Sequence, residues 1–64
     1  MSIKILRLHE VEKIIGLSRS TIYLMIAENS FPKPLKLGKR AVGWPDTVIY
    51  EWINNLSHEE VSHV

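Results

Sequence analysis

Apolar positions along this chain recur with two different periods, and each period selects an element. Ile3, Ile5, Leu6 and Leu8 alternate partway with Lys4 and Arg7, which suits a short strand or an extended lead-in. The period then lengthens. Leu8, Val11, Ile14 and Ile15 fall about one turn apart, with Glu10, Glu12 and Lys13 turned to water, so a first helix is expected from His9 or Glu10 to Gly16. Ile22, Met25 and Ile26 form a second stripe and predict a helix from Arg19 to about Glu28, closed by Asn29-Ser30. Ile49, Trp52, Ile53 and Leu56 repeat at i, i+3, i+4 and i+7, the pattern of a third helix with one buried face. Pro45 suits its first turn, where a missing N–H costs nothing, and Asp46 then lies near the positive end of the helix dipole.

Between the second and third helices the pattern is not helical. Phe31-Pro32-Lys33-Pro34 must run extended, with Phe31 turned inward as an anchor. Leu35-Lys36-Leu37 and Arg40-Ala41-Val42-Gly43-Trp44 read as two short strands, with Gly38-Lys39 as a tight turn in which Gly supplies a positive φ. Trp44 and Trp52 are expected in the core, each burying on the order of 150–250 Å². The expected fold class is mainly α with a small β-hairpin wing: three helices in one domain over residues 1–56. A flexible acidic C-terminal tail is expected at 57–64.

The junction of the first two helices is the most informative stretch. Gly16 can adopt the left-handed conformation that ends a helix, and Ser18 can accept a backbone N–H of the next turn and start another. Leu17 and Ile22 stand at the spacing of a hydrophobic staple, which fixes the angle at which the chain enters the second helix. Eight residues thus encode a sharp turn between helices. The second helix then offers Arg19, Ser20, Thr21 and Tyr23, all hydrogen-bond donors, in its first turn and a half. At 100° per residue, Ser20, Tyr23, Leu24 and Ala27 lie opposite the apolar stripe. A face that sets Leu and Ala beside Ser and Tyr suits base edges, thymine methyls and the sugar-phosphate edge. This is the sequence grammar of a helix-turn-helix whose second helix enters the major groove of double-stranded DNA.

Charge strengthens that reading. The net charge of +1 conceals an asymmetry: residues 1–44 carry eight Lys or Arg against three Glu, and residues 45–64 carry four acidic residues and no Lys or Arg. A basic front with an acidic back is expected of a protein that lays one face on phosphate. Lys36, Lys39 and Arg40 cluster at the expected wing tip, where they would touch backbone phosphates or the minor groove. Arg19 is the candidate base reader, because its planar fork can pair bidentately with guanine O6 and N7. Thr21 could either touch DNA or bond the helix cap.

Other chemistries find little here. With no Cys there is neither disulfide nor thiolate metal site, and His9, His58 and His63 do not share a helical face, so no metal or cofactor is expected. Ser18 and Ser20 have no nearby His, no Gly-rich phosphate loop is present, and the chain is short for a pocket of several hundred Å³, which argues against an enzyme or a small-molecule ligand. No apolar run approaches the roughly 20 residues that span a bilayer, and the N-terminus lacks a secretory signal, so a cytoplasmic, nucleoid-associated protein is expected.

Several blocks together resemble a known family. Arg7-Leu8, Glu10-Val11, the Gly16–Tyr23 stretch, Phe31-Pro32-Lys33-Pro34, Lys36-Leu37-Gly38, Arg40-Ala41-Val42-Gly43-Trp44 and Trp52 resemble the AlpA-type prophage regulators. These are small DNA-binding proteins related to phage excisionases and to MerR-type winged helices. The resemblance covers roughly residues 7–53. It implies a winged helix-turn-helix, excisionase/MerR-like fold, with the reading helix at residues 18–28 and the wing from Lys36 to Val42. It further implies a transcription regulator of a prophage or genomic island. The alternatives are a recombination directionality factor that bends attachment-site DNA beside an integrase, and a module that docks on another regulator. A single head of this size would contact few base pairs, so several copies on adjacent sites are expected.

Overall fold

The computed structural model describes residues 2–58. In chain order the elements are β1 (Ile5–Leu6), α1 (Leu8–Ile15), α2 (Arg19–Ala27), β2 (Leu35–Lys36), β3 (Val42–Pro45) and α3 (Asp46–His58). The strands form one antiparallel sheet in the order β1-β3-β2. Three helices with this small sheet make a winged helix-turn-helix, as the resemblance implied.

The lead-in is a true strand: Ile5 pairs with Pro45 and Leu6 with Trp44. The first helix begins at Leu8, slightly earlier than its polar pattern suggested. Arg7 takes the extended cap conformation, and its N–H donates to Glu10 Oε1 at 2.8 Å. In return the N–H groups of Glu10 and Val11 donate to the Arg7 carbonyl at 2.9 and 3.0 Å. The Arg7 and Glu10 N–H groups, which a helix start leaves unmatched, are thereby satisfied, and the Val11 bond is the first regular one of the helix. At the far end of α2, Asn29 stands at φ 64, Ser30 N–H donates to the Met25 carbonyl and Asn29 N–H to the Ile26 carbonyl. This is a Schellman closure with Asn in the place usually taken by Gly.

Several expectations need correction. Pro45 is not in the first turn of α3: it ends β3 opposite Ile5, and the helix begins at Asp46, whose N–H donates to the Lys4 carbonyl at 2.8 Å. A strand end tolerates Pro as readily as a helix start does. Gly38 does not supply a positive φ; Gly16 is the one described Gly that does. The wing instead closes through Leu37 N–H donating to the Ala41 carbonyl at 2.8 Å, with Gly38, Lys39 and Arg40 looping between, so Arg40 belongs to the loop rather than to a strand. The third stripe is also not buried along its length: Ile49 is fully buried, Trp52 and Ile53 are half-buried and Leu56 is exposed. Ile14 of α1 is likewise exposed, although its spacing placed it on the apolar stripe. α3 runs to His58, and residues 59–64 of the expected tail lie outside the described residues.

Leu6, Val11, Ile22, Phe31, Trp44 and Ile49 form the core, one residue from nearly every element. Phe31 meets Trp44 edge-on at 6.0 Å and Trp52 at 4.7 Å between ring centroids. Each indole finds a partner in the link between α2 and β2: Trp44 Nε1 donates to the Pro32 carbonyl at 2.8 Å and Trp52 Nε1 to the Ser30 carbonyl at 3.0 Å. A buried indole N–H needs such a partner. The same two bonds fix where the wing departs from the end of α2.

Candidate nucleic-acid interface

The turn before α2 is built as its residues dictate. Gly16 stands at φ 74 and closes α1, its N–H donating to the Glu12 carbonyl at 2.8 Å. Ser18 Oγ accepts the Thr21 N–H at 3.3 Å and lies 3.0 Å from Thr21 Oγ1. Leu17 packs against the core cluster, and Ile22 lies within it. The staple and the cap together hold the start of α2. Thr21, in the first turn of α2, is half-buried, and its hydroxyl lies within hydrogen-bond distance of Ser18 Oγ.

With Ile22 fully buried and Met25 and Ile26 half-buried, the opposite face of α2 is left in the open. It carries Ser20, Tyr23, Leu24 and Ala27, with Arg19 exposed at the first helical position. Leu24 is 58% and Tyr23 43% exposed, so this face keeps apolar side chains in water. The first turn of α2 contains no acidic residue, and the positive end of the helix dipole is therefore uncompensated by a carboxylate within the helix.

The wing gathers the second group. Leu35 pairs with Gly43 and Lys36 with Val42, and Lys36, Lys39 and Arg40 are all exposed. Among the described residues, none of Arg19, Lys36, Lys39 and Arg40 is ion-paired; the pair recorded is Lys4 with Glu10, at 3.8 Å. Glu10 is held below the usual carboxylate range chiefly by the hydrogen bond from the Arg7 backbone, with Lys4 adding to it. The α2 group and the wing group sit on separate elements, and among the described residues no hydrogen bond or ion pair is seen between them.

Sequence reasoning gave Arg7 no contact of its own, only a polar place in the lead-in, a charge and a share in the family resemblance. Its Nε donates to the Val42 carbonyl at 3.2 Å and so ties the start of α1 to the wing. Nothing in a pattern of local spacing signals a contact across 35 positions. Gly43 was missed as well. A Cβ there would stand 2.6 Å from Ile5 Cγ2 and 2.9 Å from the Leu6 carbonyl oxygen, so only Gly lets β1 and the wing approach so closely.

Elsewhere, open depressions of about 410, 330 and 380 Å³ mark the surface, so volumes of several hundred Å³ do occur on this short chain, although they are shelves rather than enclosed cavities. Among the described residues no group of three or more His, Asp or Glu could hold a metal ion. No helix among them is long and apolar enough to cross a membrane.

The sequence model of the family described as "Prophage CP4-57 regulatory protein (AlpA)" matches residues 4–57. A protein of Escherichia coli K12 named "DNA-binding transcriptional activator AlpA" is 37% identical over 59 residues, covering 83% of this chain and 84% of that protein. "Uncharacterized protein ORF88" of Enterobacteria phage P4 is 40% identical over 50 residues, covering 78% of this chain and 57% of its own length. The chain thus spans little more than half of the phage protein. No solved structure matches it significantly.

Proposed function

The chain belongs to the AlpA family of prophage regulatory proteins, and from that premise we propose that it is a DNA-binding transcription regulator, with α2 in the major groove and the wing on the flanking backbone. The observation that carries this reading is the outward face of α2. A helix that merely closes a domain turns charged residues to water, whereas this one exposes Tyr23 and Leu24 beside Ser20.

On this reading Arg19 pairs with a guanine edge or clamps a phosphate, close to the positive end of α2. Ser20 donates to a base or a phosphate, Leu24 meets thymine methyls, and Tyr23 sets its ring or hydroxyl against the sugar-phosphate edge. Thr21 contributes by holding the turn. Lys36, Lys39 and Arg40 neutralise phosphates or enter the minor groove. The name of the E. coli relative favours control of transcription over excision. A head this small gains useful specificity by binding adjacent sites in several copies, in the bacterial cytoplasm where the DNA lies.

The test is a fluorescence anisotropy titration of a labelled random-sequence duplex at several salt concentrations. Each phosphate neutralised should steepen the fall of log K with log salt by about 0.9. Binding that is absent, or indifferent to salt, would remove the DNA-binding reading.

A further inference from the structure

One attachment of the wing to the body is a side chain standing in for backbone. Leu37 N–H donates to the Ala41 carbonyl, so in and just before β3 the odd-numbered residues bond toward β2 and the even-numbered ones toward β1. Trp44 obeys this rule opposite Leu6. Two residues back, the Val42 carbonyl also turns toward β1, and continuing the register would pair it with residue 8. Leu8, however, is already the first residue of α1, so the strand has ended before that rung. The donor that fills the gap is Arg7 Nε, at 3.2 Å.

From this geometry we infer that Arg7 is a positioning residue for DNA binding, a strut that sets the wing relative to α1 and, through the Gly16 turn, relative to α2. Its backbone is held at three points: the N–H by Glu10 Oε1, the carbonyl by the N–H groups of Glu10 and Val11. The anchor of the strut is therefore fixed. Its far end grips Val42, which is paired with Lys36 and lies two residues from Arg40. The strut transmits no charge to DNA; it holds the cations of the wing where phosphate will be. Without it the wing can still bind, after losing the freedom that the strut removes in advance.

This inference rests on the DNA-binding reading, and the experiment separates the two. Affinity for a random-sequence duplex is measured for the wild type, Arg7→Ala, the wing variant Lys36→Ala/Lys39→Ala/Arg40→Ala, and all four substitutions together. Far-UV circular dichroism first confirms that each is folded at the titration temperature. Arg7→Ala should weaken binding about threefold to tenfold in the intact protein, the worth of one hydrogen bond. In the wing variant it should cost less than about twofold, because there are no wing cations left to position. Arg7→Lys, which keeps the charge but has a methylene where Arg has Nε, should behave as Arg7→Ala does.

Equal losses in both backgrounds, with the salt slope falling by about one each time, would make Arg7 a phosphate contact and overturn the inference. Full rescue by Arg7→Lys, or no loss in the intact protein, would overturn it too. A wild type that fails to bind would instead refute the DNA-binding reading.

Discussion

Adding one methyl group at Gly43 measures how closely β1 lies against the wing. The new Cβ would stand 2.6 Å from Ile5 Cγ2, 2.9 Å from the Leu6 carbonyl oxygen and 3.1 Å from Leu37 Cδ1. Leu37 can swing away, since the clashing atom is the end of a flexible, exposed side chain. Ile5 is stiffer, because its clashing methyl hangs on a branched Cβ. The Leu6 oxygen cannot yield unless the β1–β3 ladder opens. Gly43 has no positive φ, so Ala would fit the backbone and would gain about 0.4–1 kcal/mol from a less disordered unfolded chain. Overpacking costs about 1–3 kcal/mol and wins.

The net loss is about 1–2 kcal/mol, which in a domain this small lowers the Tm by roughly 5–15 °C. Thermal denaturation followed by circular dichroism reads it directly. Ile5→Ala in the Gly43→Ala background relieves only the side-chain contact, so it should recover no more than part of the loss. A Gly43→Ala protein as stable as the wild type would refute the close approach of β1 to the wing.

Two further substitutions test the elements that hold α1 and α2. Ser18→Ala removes the oxygen that accepts the Thr21 N–H and should cost about 1 kcal/mol, with Thr21→Ala in the same background adding little, as expected if the two hydroxyls act as one unit. Urea unfolding at constant slope measures both. For Glu10, folding lowers the carboxyl pKa, so its contribution is complete above the ordinary carboxylate value of about 4.3 and is lost as the pH falls through the lower folded value. The Tm difference between the wild type and Glu10→Gln should therefore be present at pH 7 and shrink as the solution is acidified; a difference that does not change with pH would show that the Arg7 bond does not depend on the charge.

What was legible in the sequence was what local chemistry dictates. Gly16, Leu17, Ser18 and Ile22 lie within seven positions of one another, and each has one plausible backbone role, so the turn could be built from the letters alone. Asn29 could be read as a left-handed closure for the same reason. Pro45 was misplaced because a helix start and a strand end accept Pro equally, and the partner that decides between them, Ile5, is forty residues away. Gly38 misled because a Gly beside a Lys suits a two-residue turn, whereas the hydrogen bond of Leu37 to Ala41 closes a wider loop. Helical spacing placed Leu56 and Ile14 on buried stripes, but both stay exposed along one open depression, which Ile15, Leu17, Trp52 and Ile53 also line. Arg7 and Gly43 owe their roles to the wing lying across β1, a tertiary fact without a local signature.

The central claim divides the work between two elements, with α2 reading sequence and the wing holding phosphate. The most direct test is the affinity of wild type, Arg19→Ala and Arg40→Ala for a footprinted site and for a random duplex, each across a salt series. Arg40→Ala should weaken both complexes alike and reduce the salt slope by about one. Arg19→Ala should cost the footprinted site about 1–3 kcal/mol more than it costs random DNA. An unchanged slope for Arg40→Ala, together with equal losses on both duplexes for Arg19→Ala, would contradict the account.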